Sequence, residues 1–332
     1  MTPAGMEGLL GTSDAMNTVR SRLAQVARTP LSVLIRGETG TGKEVAARAL
    51  HKASGRDGPF IAVDCAAIAP TLVEAELFGH ERGAFTGAST RREGLVAAAR
   101  GGTFFLDEVG ELPMEAQTRL LRLLESGTYR PVGGTTERTA DLRIVAATWR
   151  DLRTRVQEGR FRRDLLHRLG VVEIELPPLR DRPGDVELLL DEFLAAGVDG
   201  TKRSLPALSQ PARRHLLTWP WPGNVRELRH VAAYLVAIAT DVPLELSDLP
   251  PLLLGPPPRP PGPWSPDLRL DLDYMEARRL FLDEFQIRYV LAQMEAHTGN
   301  VSAAARAGGM DRRSIQRILT RARARWVAAE QG

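Results

Sequence analysis

A single cysteine, Cys65, is all this sequence has, so it holds no internal disulfide and no multi-cysteine metal site. Aromatic residues are scarce at 5%, which leaves Leu, Val, Ile and Ala to fill the core. No apolar stretch approaches the ~20 residues a membrane-spanning helix needs. The longest, within residues 231–239, reads as a buried helix. No basic segment followed by an apolar run opens the chain, so no leader is read there, and the cytoplasm is the expected compartment, with no membrane partner. A large charge excess is also lacking. A net +3 over 332 residues is too little to argue a nucleic-acid partner from the whole chain.

The charge that is present is unevenly placed. From His297 to Gly332 there are seven arginines against Asp311 and Glu330. A basic end on a near-neutral body suggests a polyanion-binding tail. The length suits two or three domains.

The first half alternates short apolar strands with amphipathic helices. Ser13 or Asp14 can cap a helix carrying Met16, Val19, Leu23 and Val26 at helical spacing. Strands are expected at residues 31–35, 60–63, 103–107, 142–147 and 172–176. Helices are expected at 43–53 and from Pro113 to Gly127. Strands separated by helices argue a parallel sheet covered on both faces, an α/β fold. After Pro177-Pro178 the pattern turns helical, at 184–196, 209–218 and 224–240. Residues 250–266 hold nine prolines in 17 positions and read as a stiff extended linker without helix. Beyond it come a long helical segment at 274–296 and two shorter ones.

Gly37-Glu38-Thr39-Gly40-Thr41-Gly42-Lys43 follows an expected strand and precedes an expected helix, the context of a phosphate-gripping loop. Glycines let main-chain N–H groups turn toward phosphates, the helix start adds partial positive charge, and Lys43 reaches the terminal phosphates. Glu44 stands where such loops usually carry Ser or Thr, which removes one magnesium ligand. The apolar run Thr103-Phe104-Phe105-Leu106 ends in Asp107-Glu108. Asp107 can hold magnesium and Glu108 can polarise an attacking water. ATP and Mg2+ are the expected cofactors.

Between these motifs lies Gly83-Ala84-Phe85-Thr86-Gly87-Ala88. This hexapeptide, with Glu44 after the loop lysine, resembles the bacterial enhancer-binding proteins, the AAA+ activators of sigma-54 RNA polymerase. The resemblance implies a AAA+ P-loop ATPase with a parallel-sheet core plus a helical lid, followed by a small all-α helix-turn-helix domain. The expected domains are residues 1–176 (α/β), 177–249 (lid), 250–273 (linker) and 274–332 (Fis-type DNA-binding domain). It also implies a homo-oligomeric ring, usually a hexamer, with ATP bound between subunits. By the same resemblance, residues 83–88 contact the sigma subunit of the sigma-54 RNA polymerase holoenzyme, with Thr86 central and Phe85 in support. Arg162 and Arg168 match arginine fingers donated to a neighbour. Arg226, in Trp219-Pro220-Trp221-Pro222-Gly223-Asn224-Val225-Arg226, matches a lid sensor.

Two positions depart from that family. Trp149 follows Thr148 where Asn is common, and Asp64 stands in place of another Asn that is thought to hold the catalytic glutamate. Asp64 next to Glu108 would repel it. The expectation is altered γ-phosphate sensing with slow or loosely gated hydrolysis. A DNA-binding regulator that holds nucleotide without turning it over is the alternative.

In the tail, residues 299–310 read as a helix and a glycine turn, and Asp311 can cap the next helix. Arg312, Arg313, Ser314, Gln316 and Arg317 at its start can reach base edges of double-stranded DNA, and Arg321 suits phosphates. The AAA+ resemblance begins near Leu9, so no sensing domain is expected within this chain. Regulation is therefore expected from a partner protein in trans or from expression level.

Overall fold

The computed structural model describes residues 5–6, 8–85, 88–199, 205–254, 282, 285–287, 289–291, 293–294, 297 and 300–329, with side chains to 320. The chain divides into two compact units, Met1–Pro258 and Arg259–Gly332.

The first unit opens with α1 (Asp14–Ala27), β1 (Val33–Arg36), α2 (Lys43–Ser54), β2 (Phe60–Asp64), α3 (Val73–Phe78) and α4 (Leu95–Ala98). It continues with β3 (Thr103–Asp107), α5 (Met114–Ser126), the two-residue strands β4 (Thr128–Tyr129) and β5 (Arg138–Thr139), and β6 (Arg143–Thr148). Then come α6 (Leu152–Gln157), α7 (Arg163–Leu169) and β7 (Val172–Glu175). Five strands form one parallel sheet in the order β2-β3-β6-β1-β7, and β4 pairs with β5 antiparallel.

The period-2 alternation of the strands builds two cores. Leu34, Phe104, Leu106, Ile144 and Ala146 face α3, α5 and α7. Their neighbours Val33, Ile35, Phe105, Val145 and Ala147 face α1 and α2. Covering both faces is what lets central strands be apolar throughout. β1 starts later than expected: Leu31 is 41% exposed, because Pro30 and Leu31 precede the point where the sheet closes over the chain.

The ends of these helices follow their sequence signals. Ser13 accepts from the Met16 N–H to cap α1. Pro113 precedes α5, and Gly127, at φ 66°, ends it. Arg143, 2% exposed, donates to the carbonyls of Val26, Ala27 and Leu31, satisfying the end of α1. Burial lowers its pKa to about 10.

The lid follows as α8 (Asp185–Val198), α9 (Gln210–Thr218), α10 (Asn224–Ile238) and α11 (Pro251–Leu254). Trp219 and Trp221 are buried among Leu190, Leu216, Leu228 and Leu235. The helix α11 corrects the expectation of a helix-free linker from residue 250. Proline is tolerated in a first turn, where its missing N–H has no partner to lose. Leu253 is fully buried in the lid core. The rest of the expected linker lies outside the described residues.

In the second unit, helices Val301–Ala307 and Arg312–Ala329 meet across a short turn. Ala304, Ala305, Ile315 and Ile318 form its core with Ile287 and Val290. Asp311 caps the second helix, accepting from the Ser314 N–H at 2.8 Å. Most of the helical segment expected at 274–296 lies outside the described residues.

Candidate functional site

The carboxyl ends of β1, β2, β3 and β6 lie along one edge of the sheet, the edge where open parallel sheets bind ligands. β1 runs into the glycine-rich loop, β2 ends at Asp64, β3 at Asp107 and β6 at Thr148. A cleft of about 650 Å3 opens there, lined by residues 39–45, Asp64, Asp107, Glu108, Trp149 and Arg226. Leu9, Leu10, Leu189, Phe193 and Val225 add apolar lining, with Arg229 and His230.

The loop is held from both sides. The Gly37 N–H donates to the Thr148 carbonyl at 3.3 Å, and the Arg226 N–H to the Gly40 carbonyl at 3.3 Å. Gly40 has φ 81°, and a Cβ there would sit 2.3 Å from the Gly223 carbonyl oxygen. Only glycine fits between loop and lid at that point. Thr41 is buried, its hydroxyl donating to the Glu38 carbonyl. Gly42 starts α2 without any side-chain cap. The first-turn N–H groups of α2 are thus left for an anion.

Lys43 is nearly buried. Its ammonium donates to the Gly37 carbonyl at 3.1 Å and the Glu38 carbonyl at 3.4 Å, and pairs with Glu108 Oε1 at 3.3 Å. Burial raises the Asp107 and Glu108 carboxyls above the usual range, against the pull of the Lys43 charge. Asp107 also accepts from the Glu108 N–H. Among the described residues no cluster of three or more acidic, His or Cys side chains could hold a metal. A magnesium ion at Asp107 would therefore need nucleotide phosphates as further ligands. Those donors, the uncapped helix start and the buried Lys43 all suit a nucleoside triphosphate.

Two expectations are corrected here. Glu38 does not turn its carboxylate into the cleft. It is gripped by Arg180 at 2.6 and 2.9 Å and by Asn224 at 3.1 Å, and these bonds lower its pKa. Glu44 pairs with Arg48 and still lines the cleft, its charge adding to the upward push on the Asp107 carboxyl. Asp64 does not confront Glu108. Its Oδ1 accepts from the Ala66 N–H at 2.9 Å, closing a local turn. Its repulsion falls on Asp107. Glu108 Oε2 instead receives the Trp149 main-chain N–H at 3.3 Å.

Sequence reasoning missed the lid's grip on the loop. Arg182, 2% exposed, donates to the Thr41 carbonyl, and Asn224 to the Thr39 carbonyl. Asp185 accepts from the Thr12 and Ser13 N–H groups and the Ser13 hydroxyl, tying α8 to the start of α1. Asn224 stood inside the motif that singled out Arg226. Cys65 is 3% exposed beneath the cleft, its N–H on the Asp107 carbonyl. Burial, with Asp64, Asp107 and Glu108 nearby, pushes its thiol pKa far up.

Neither Arg162 nor Arg168 lines this cleft. Arg162 precedes α7 and pairs with Asp164 at 2.7 Å, and Arg168 donates to the Leu124 carbonyl at 3.4 Å. Of residues 83–88, Thr86 and Gly87 lie outside the described residues. The rest form a narrow neck: Gly83 donates to the Ala88 carbonyl at 2.8 Å, and Ala88 to that of Phe85. The Phe85 ring stands edge-on to His80, centroids 5.0 Å apart. In the tail, Arg312, Arg313, Gln316 and Arg317 are exposed. Ser314 is less free than expected, because its hydroxyl donates to Asp311 at 2.7 Å. Arg321 lies in the helix, but its side chain is outside the described residues.

Fold and cleft together define a AAA+ ATPase. The Sigma-54 interaction domain family matches residues 9–175, and the AAA+ ATPase lid domain matches 180–262. The DNA-binding transcriptional regulator NtrC of Azospirillum brasilense is 52% identical over 233 residues, 69% of this chain and 48% of that protein. NtrC of Salmonella typhimurium is 41% identical over 324 residues, 94% of this chain and 69% of its own length. The crystal structure of Brucella abortus NtrX in complex with ADP has a TM-score of 0.70 at 35% identity, covering 94% of this chain and 69% of that one. A second structure of that NtrX was determined in complex with ATP. The chain therefore belongs to the sigma-54 interaction domain family. It spans about half the length of the Azospirillum relative. No helix among the described residues is long and apolar enough to cross a membrane.

Proposed function

We propose that this chain is an ATP-driven activator of transcription. It binds upstream double-stranded DNA through its tail, assembles into a homo-oligomeric ring, and remodels the closed complex of sigma-54 RNA polymerase holoenzyme through residues 83–88. Lys43 and the start of α2 grip the phosphates, and Asp107 would hold a Mg2+ ion, whose charge would screen them. Glu108 takes a proton from the attacking water. Arg162 and Arg168 reach the γ-phosphate of a neighbouring subunit, which makes turnover depend on assembly. Arg226 carries nucleotide state to the lid. The ring acts in the cytoplasm.

The observation that carries this reading is the pairing of a Lys43–Asp107–Glu108 cleft with a separate hexapeptide loop. That loop's Phe85 is 39% exposed, an apolar group left available to a protein partner. Exposed Arg312, Arg313, Gln316 and Arg317 at one helix start support the DNA-binding role, since Arg and Gln pair bidentately with guanine and adenine.

The test is Thr86→Ala. Nucleotide turnover should stay within about twofold, because the substitution leaves the cleft intact. Binding to sigma-54 in the presence of ADP–aluminium fluoride, and promoter opening, should both be lost. Unchanged promoter opening would remove the loop from the mechanism.

A further inference from the structure

Trp149 is a large aromatic side chain that is 53% exposed, so burial does not explain its presence at the mouth of the cleft. Its ring lies against the Arg150 guanidinium, 4.7 Å from the centroid. The same guanidinium pairs with the Glu111 carboxylate, which also takes Arg155 at 3.1 Å. Glu111 in turn closes the tight turn that Glu108 begins, its N–H donating to the Glu108 carbonyl at 2.9 Å. The Arg150 N–H donates to the Thr148 hydroxyl at 3.0 Å. Glu108 has φ 51°, a left-handed conformation that a residue with a Cβ resists and its surroundings must hold.

These contacts form a closed circuit between the end of β3 and the end of β6. We propose that the Trp149–Arg150–Glu111 stack is a brace that positions Glu108, keeping the Trp149 main-chain N–H on one oxygen of its carboxylate. The brace rests on the reading of Glu108 as the residue that accepts the water's proton. Its two oxygens have different partners: Oε2 takes the Trp149 N–H, and Oε1 faces Lys43. Phosphates that draw Lys43 toward themselves release Oε1 to the water while Oε2 stays anchored. One fixed oxygen and one free oxygen give the carboxylate a defined direction. Trp149 and Glu111 are thus positioning residues, and the tryptophan side chain does through the main chain what a polar side chain would do by direct contact.

The charged groups facing Glu108 are Lys43 of α2 and Asp107 of β3, and the Trp149 N–H favours its ionised form. The experiment uses the full chain with Trp149→Ala, Glu111→Gln and the conservative Trp149→Phe. Steady-state kcat and KM are measured, and amide hydrogen exchange of residues 148–151 is followed by mass spectrometry. Trp149→Ala and Glu111→Gln should each lower kcat about fivefold or more with KM within about twofold, since misorientation acts on the chemical step and not on binding. Both should speed exchange at 148–151. Trp149→Phe keeps an aromatic face for Arg150 and should retain wild-type values. Unchanged kcat in Trp149→Ala and Glu111→Gln, or faster turnover, would overturn the brace. If the wild-type chain hydrolyses nothing, the ATPase reading of the motor fails separately. Exchange then decides the brace alone, and unaltered exchange in Glu111→Gln overturns it.

Discussion

Two glycine-rich loops in this chain are built in opposite ways. The loop at residues 37–43 is bonded to three other parts of the fold: the end of β6 through Gly37, the start of α10 through Gly40 and Asn224, and the segment before α8 through Arg180 and Arg182. The described part of the loop at residues 83–88 is bonded mainly to itself, by Gly83–Ala88, Ala88–Phe85 and Ala84–Glu81. Beyond that, the Phe85 ring rests on His80, and Ala84 packs near Gly133. A loop that must present N–H groups to a phosphate is fixed from every side. A loop tied mainly at its own neck has few outside contacts, and such segments open at low cost.

The comparison can be broken most severely at Lys43. Lys43→Ala removes the cation shared by Glu108 and the phosphates and leaves a half-buried carboxylate unpaired. Losing one partner of a buried, hydrogen-bonded charge pair costs about 2–5 kcal/mol, so loss of the lysine–phosphate pair should lower ATP affinity, measured by calorimetry, by about thirtyfold to a few thousandfold. Gly40→Ala should come next. A methyl at φ 81° faces the Gly223 carbonyl at 2.3 Å, so strain and overlap together should cost more than about 2 kcal/mol in denaturant unfolding. Gly83→Ala is the matching change in the other loop. It has φ 77° and nothing within 4 Å of a new Cβ, so it should cost about 1 kcal/mol. Equal losses at Gly40 and Gly83 would erase the distinction between a clamped loop and a free one.

A subtler contrast lies in pH. Burial raises the Glu108 carboxyl, and a base works only when ionised. Turnover should therefore decline with falling pH from above the ordinary glutamate value of about 4.3. ATP binding through Lys43 should persist across that range. Parallel loss of binding and turnover would place the titration elsewhere.

Much of this was legible in the sequence where a physical signal is local. β3 matches its expected span because Gly101-Gly102 precedes an unbroken apolar run and two acids end it. α5 matches because Pro113 and Gly127 bracket it. The strands β4 and β5, two residues each, are too short to carry a period, and α3 and α4 are too short to show an apolar face. In the cleft, Lys43, Asp107 and Glu108 were readable as residue types in order. The Glu38–Arg180 pair spans 142 positions, and nothing in local spacing marks it. The Trp149–Glu108 contact was hidden for a different reason: its donor is main chain, and every residue but proline has one.

Cys65 has a practical consequence. It is the chain's lone thiol, and it is shut beneath the cleft floor with its ionisation suppressed. Thiol-reactive dyes attack thiolates at accessible sites, so the native chain should stay dark in a labelling reaction. Placing a reporter at the exposed foot of the 83–88 loop through Arg82→Cys then needs no prior removal of a native cysteine, and fluorescence from that one position can follow the loop through each nucleotide state.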